Sequence, residues 1–322
     1  MMKNKDAKSD VAMEGESLPL SAPPPAESSD VAARMDRARA ELTARAGDHG
    51  RLFATVGSII RDSVDYIVDA PTLRRYSIKD LDPDEKTAIG KRIERMLRFQ
   101  LKIPKGRGLD ISLGGEDVDI KTTIGDTWMF SKSSHGYLHL LIAYSEEKAT
   151  FSIGLAYVHD EHLRKGGNRD RKRSLKEAAK ENISWLVENH PYPENFLARL
   201  PQGLLDTLAL KASGMQRVLQ LLRSVTGKPI PRHAICSVAN QRDPMRRTRS
   251  NGGARDVLWA EGLLVLSGKY ADDKTIVREA LKIELAKTAF LTLRASDKRL
   301  NDDLLRLYQR SHSLPLLTSH SS

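Results

Sequence analysis

Residues Arg107 to Thr123 read RGLDISLGGEDVDIKTT and alternate apolar and polar side chains on both sides of a Gly-Gly pair. That pattern is the signature of a β-hairpin. Period-two alternation puts Asp119 and Lys121 on one face and Val118 and Ile120 on the other. On the preceding strand Leu109, Ile111 and Leu113 line one side, and Asp110 and Ser112 the opposite one. A two-residue turn at Gly114-Gly115 places Asp110 across from Asp119, and a four-residue turn places it across from Lys121. Both registers gather the three polar residues on one face, whereas a three-residue loop would mix Asp110 with the apolar side. Carboxylates facing each other across strands repel unless something positive lies between them. A divalent cation answers this, and oxygen ligands without Cys or clustered His favour Mg²⁺. The alternative is a surface hairpin whose acids are neutralised by Lys121.

Outward from the hairpin, the spacing of Leu42, Leu52, Val56, Ile59, Ile60 and Val64 predicts a helical run from Val31 to Asp69, ended by Pro71. A second helix is expected over Asp84 to Leu101, burying Ile89, Ile93, Met96, Leu97 and either Phe99 or Leu101. Strands follow at HGYLHLLIAY (135–144) and at Ala149 to Val158, so the region reads as α+β with a central mixed sheet. RKGGNRDRKR, Arg164 to Arg173, is either a solvated linker or a phosphate-tracking strip, with Arg169, Arg171 and Lys172 as candidate contacts. A helical stretch to about Val187 and a Pro-containing linker at 188–195 (ENHPYPEN) then divide the chain. The expected organisation is an N-terminal extension at 1–30 too poor in hydrophobic pattern to order, a folded domain at 31–187, the linker, and a second domain at 196–322. In the second domain, helices at Phe196 to Leu210 and Met215 to Val225 precede strands at Gly262 to Ser267 and Ala289 to Arg294. PMRRTRSNGGAR (244–255), with four arginines and no acid, lies between. This order suits a helix-turn-helix with a wing.

The 322 residues carry 52 Lys and Arg against 42 Asp and Glu, a formal +10 that favours polyanionic partners. Aromatic residues are only 5% of the chain, which argues against a stacking platform for single strands. The single cysteine, Cys236, excludes an intramolecular disulfide framework and a Cys-rich zinc site. It makes a reducing, cytoplasmic compartment the expectation. No N-terminal apolar core suggests secretion, and the most apolar stretch, Tyr137 to Tyr144, falls far short of the ~20 residues that span a bilayer. Cys236 is expected to be a buried thiol, and Trp128, Trp185 and Trp259 to be packing residues. HDEH (159–162) lacks an identifiable third ligand for a metal.

Asp-x-Lys occurs five times, so the triplet alone means little. The copy at Asp84 sits at a helix start, where acids complement the dipole. The copy at Asp119 stands apart because another carboxylate-bearing strand precedes it.

Three stretches, EKTAIGKRIE (85–94), GLDISLGGEDVDIK (108–121) and GKPIPRHAICSVANQRDPMRRTRSNGGARDVLWAEGLLVL (227–266), resemble the NaeI family of type II restriction endonucleases, within the PD-(D/E)xK nuclease superfamily. Leu109 occupies the place of the motif's proline. The resemblance implies an α/β/α restriction-endonuclease-like core and a C-terminal winged-helix DNA-binding domain. It implies Asp110 and Asp119 as metal ligands, Lys121 as the catalytic lysine and Glu94 as a further acid near the metal. Arg246, Arg247, Arg249, Asn251 and Arg255 become candidate DNA contacts, with Gly252 and Gly253 allowing close backbone approach. The implied activity is that of a Mg²⁺-dependent site-specific deoxyribonuclease. It would act on double-stranded DNA as a homodimer, be activated by a second copy of its site, and be accompanied by a cognate DNA methyltransferase. Rival readings are a non-catalytic winged-helix regulator and a nicking or mismatch-directed nuclease.

Overall fold

The fold was taken from a computed structural model that describes residues 28–315, apart from 241, 242, 244, 246, 247 and 249–251. The described residues begin with α1 (Ser28–Ala46), so residues 28–30, the end of the expected unstructured extension, are helical. The predicted continuous helix over 31–69 is broken at 47–48, where the Asp48 carboxylate accepts the Arg51 N–H (2.7 Å) and caps α2 (His49–Val68). A single turn, α3 (Ala70–Leu73), and α4 (Pro83–Gln100) follow. Ile89, Ile93 and Leu97 recur at helical spacing on α4 and are fully buried, each contributing roughly 1.5–3 kcal/mol. Of the two candidates at its end, Leu101 enters the core and Phe99 stands 79% exposed.

β1 (Ile111–Leu113) and β2 (Glu116–Ile124) form the hairpin, with Ile111 opposite Val118 and Leu113 opposite Glu116. This is the two-residue-turn register. Gly114 and Gly115 hold φ of 63° and 83°, left-handed values that such a turn needs at both centres. A Cβ on Gly114 would lie 2.7 Å from the Ala38 backbone nitrogen, so α1 rests directly on the turn.

β3 (Met129–Phe130), β4 (Leu138–Ser145), β5 (Thr150–Tyr157), β6 (Arg173–Ser174) and β7 (Ser184–Pro191) complete the region. The central sheet has the order β1-β2-β4-β5-β7, with β2 and β4 parallel and the remaining neighbours antiparallel. It is therefore the expected mixed sheet. β7 corrects the reading of a helical stretch to Val187: pairing with β5 turns 184–191 into a strand. Tyr192, in the stretch read as a linker, is 5% exposed.

One sheet face packs Val118, Leu140, Ile142 and Ile153 into a core shared with α1, α2 and α4. The opposite face carries Leu141 and Ala156. It is covered by Trp128, Phe130, Leu163 and Leu175 from short 3-10 turns and the β3–β6 ribbon, in place of the helical layer that an α/β/α core implies.

α4 meets β2 at Gly90, where an added Cβ would lie 2.3 Å from the Thr122 hydroxyl oxygen. Gly90→Val is therefore expected to lift the helix and cost about 1–3 kcal/mol in urea unfolding. An unchanged midpoint would show that the helix seats elsewhere.

Beyond Tyr192 come α5 (Gln202–Ala209), α6 (Gly214–Ser224), β8 (Ile230–Pro231), α7 (Arg232–Ala239), α8 (Ala254–Ala260), β9 (Leu263–Ser267), α9 (Ala271–Leu281), β10 (Ala289–Arg294) and α10 (Asp302–His312). Pro201 starts α5, so the single helix expected over 196–210 is shorter and preceded by a 3-10 turn. The three strands form a sheet of order β8-β10-β9. Trp128 and Trp259 are buried and Trp185 half-buried; Cys236 is half-buried and lines a cavity instead of lying in the core. Among the described residues no helix is long and apolar enough to cross a membrane.

Candidate active site

The hairpin register carries Asp110 to the position across from Asp119, where its Oδ2 accepts the Ile120 N–H at 2.8 Å. Lys121 Nζ lies 2.6 Å from Asp119 Oδ2. Three of the four candidate catalytic residues thus converge as the alternation required. Asp119 is 6% exposed, a burial that makes an uncompensated charge costly. Burial, and then the neighbouring Asp119, push the Asp110 carboxyl up to about 7. Burial also opposes ionisation of Asp119, but the neighbouring His139 and Asp110 and the charge of Lys121 outweigh it and hold Asp119 below the usual carboxylate range. The pair is therefore arranged to carry one negative charge next to one lysine in the protein alone.

Glu94 lies on α4, half-buried, one turn beyond the Gly90 contact with β2. Burial and then the charge of Asp119 raise its carboxyl above the ordinary value, so it stands within electrostatic reach of the pair. Among the described residues no group of three His, Cys, Asp or Glu side chains is drawn together as for a metal ion, in this site or at His159 and His162. Two carboxylates converge and the third stands off.

Sequence reasoning missed His139. Parallel pairing of β2 and β4 sets it beside Asp119, fully buried, with its Nε2 3.5 Å from Asp119 Oδ2 and Nδ1 3.0 Å from the Tyr137 carbonyl. At that distance Nε2 makes no full hydrogen bond, and Phe130 packs edge-on against the ring at 4.9 Å. The ring acts as a wall that fixes where the Asp119 carboxylate points. The only sequence signal is a histidine inside an apolar strand. His139→Phe removes both ring nitrogens and is expected to slow turnover about 10- to 100-fold, while its larger ring and the orphaned Tyr137 carbonyl should cost about 1–3 kcal/mol of stability at this fully buried position. Equal rates would show that the strand alone places Asp119.

The basic elements divide. Arg169, Arg171 and Lys172 are exposed on a loop organised by the Asn168 side chain, which accepts the Asp170 and Lys172 N–H groups at 3.1 and 2.9 Å. Arg246, Arg247, Arg249 and Asn251 lie outside the described residues. Gly252 is exposed at φ 82°, and Gly253 is buried as the N-cap of α8. Arg255 is a correction. It is 2% exposed, donates to the Val265 carbonyl at 3.0 Å and pairs with the fully buried Asp273 at 3.2 Å. A guanidinium so engaged organises the interior and is not free to contact DNA.

The mixed α+β fold with its central mixed sheet fits a restriction-endonuclease-like core. The chain belongs to the restriction endonuclease NaeI family, which it matches over residues 33–300. It is 32% identical over 248 residues to the Type II restriction enzyme NaeI of Lentzea aerocolonigenes, an alignment covering 74% of this chain and 77% of that relative.

Proposed function

We propose that this restriction endonuclease hydrolyses phosphodiesters in specific double-stranded DNA with Mg²⁺ as cofactor, its reaction carried by Asp110, Asp119 and Lys121. The observation that supports this reading most is the closeness of Lys121 Nζ to a buried acid that itself faces Asp110. Two converging carboxylates supply hard oxygen ligands and leave positions for water, a set that fits Mg²⁺ better than a softer metal. Asp110 and Asp119, with Glu94 as a further acid, would hold such an ion, which would supply Lewis acidity and lower the pKa of water. Lys121 then orients the attacking water and stabilises charge growing on the phosphate oxygens. His139 and the Ile120 N–H keep the two carboxylates aimed at the same point.

The C-terminal region supports a winged-helix reading. After α6 the chain runs strand, helix, helix, strand, helix, strand, and closes the β8-β10-β9 sheet against α7 and α8. In this reading residues 31–187 with the rest of β7 cut, and residues from 196 onward recognise DNA through the arginines before α8. The exposed Arg169, Arg171 and Lys172 add phosphate contacts on the cutting side. A homodimer engaging two copies of its site, one activating, with a methyltransferase protecting the host, completes the proposal, and the single free cysteine suits a cytoplasmic protein.

The test is digestion of phage and plasmid DNA with Mg²⁺ and with chelator. Discrete fragments that need the metal, with ends of one sequence, are expected. Specific binding without any cleavage would overturn the assignment in favour of a regulator, and single-strand breaks in favour of a nicking enzyme.

A further inference from the structure

A second cationic feature lies outside the hairpin, where β9 ends, β10 begins and α7 starts. Arg232, Lys269, Lys287, Arg255, Tyr270 and Ser267 line a cavity of about 320 Å³, within the range of small-ligand sites, and among the described residues no acid lines it. Its floor is a finished structure. Asp273 is fully buried and receives Arg255, the Ser267 N–H at 2.8 Å and His312 at 2.6 Å, so the Arg255 charge is cancelled internally. Arg255 also lies 5.3 Å from the centroid of the Tyr270 ring, which fixes one wall, and Tyr270 remains 41% exposed.

Arg232, Lys269 and Lys287 are different. All three are exposed, and none forms a salt bridge among the described residues. Three cations around one concavity raise a positive potential that a bound anion relieves. Lysine and arginine donors suit phosphate, hydroxyls supply further hydrogen bonds, and the tyrosine face suits a planar base.

We propose that this cavity binds a nucleoside phosphate, with Arg232, Lys269 and Lys287 on the phosphate and Tyr270 against the base. The ligand is a free nucleotide, bound apart from the DNA contacts proposed above for this half of the chain.

The experiment uses the full chain in chelator at low salt, where screening is weak. 2′-Deoxyadenosine 5′-monophosphate, 2′-deoxyadenosine and inorganic phosphate are titrated by calorimetry. The nucleotide is expected to bind at one site at least tenfold more tightly than the nucleoside. Lys269→Ala combined with Lys287→Ala, both surface changes checked by circular dichroism, should weaken it at least tenfold. Simultaneous binding of the nucleotide and a short duplex is expected, and displacement by the duplex would overturn the proposal by making the cavity part of the DNA contact surface. No saturable nucleotide or phosphate binding, or equal affinity in the double variant, would overturn it. Because neither divalent metal nor the Asp110–Asp119–Lys121 site takes part, this result is separate from that of the cleavage test.

Discussion

Lys121→Ala is expected to lower cleavage by about 10²–10³-fold or more, the loss that accompanies removal of one preorganised charge from a reacting centre. The side chain is 23% exposed and its close partner is Asp119, so it adds little to the core and the variant should remain folded. Specific binding of duplex DNA should persist, because the proposed recognition elements lie in other parts of the chain. Lys121→Arg should restore little, since a planar guanidinium offers a different donor geometry from a compact ammonium. The measurement is single-turnover cleavage with Mg²⁺ beside DNA binding in chelator. Cleavage within tenfold of wild type would remove Lys121 from the reaction, whereas parallel loss of binding and cleavage would indicate damage to the fold.

The largest expected effect on stability comes from Glu146, in the turn between β4 and β5. Its carboxylate accepts the Ser77 hydroxyl and the Ile78 N–H at 2.8 Å, the Asn195 amide at 2.7 Å and, more distantly, the Arg61 guanidinium at 3.5 Å. Arg61 is 1% exposed, and Asp65, 2.6 Å away, is its other acidic partner. Removing one member of a buried charged network leaves the rest uncompensated, so Glu146→Ala should cost about 3–5 kcal/mol. Glu147 provides the control next door. It and its partner Lys79 are each 81% exposed at 3.8 Å, and its replacement by Ala should change stability by less than about 0.5 kcal/mol. Urea unfolding of the two variants checks the contrast. A cost below about 1 kcal/mol for Glu146 would mean that water replaces the lost acceptor. Because Asn195 also donates to the Tyr76 carbonyl, Glu146 ties α2 and the sheet to the start of the C-terminal half, and its loss should loosen that junction first.

The hairpin shows where sequence reasoning is strong. Alternation restricted Asp110, Asp119 and Lys121 to one face in two possible registers, and the Gly-Gly turn is of the kind that selects the first of them. The helix at α4 was legible from the local period that one buried face imposes, and β9 and β10 from short apolar runs, both strands being buried on both faces. Residues 184–191 were not, because the preceding SLKEAAKEN has the composition of a helix and only hydrogen bonding to β5 makes Ser184–Pro191 a strand. Phe99 and Leu101 were equally apolar candidates, and which one entered the core depended on how α4 ended.

The sequence by itself determined the mixed α+β class, the acid-acid-lysine face and the family, all of which rest on short-range pattern and motif. The tertiary structure decided which polar groups would be buried. Arg255 reads as a surface cation in a basic stretch, yet Asp273 and the Val265 carbonyl, reached only after the chain turns back through β9, draw it inside. His139 and Asp119 meet through a parallel strand pair, and Glu146 meets Arg61 across 85 residues of chain. A charged side chain enters a core only where partners offset its desolvation, and those partners are assembled by folding at distances along the chain that local periodicity does not encode.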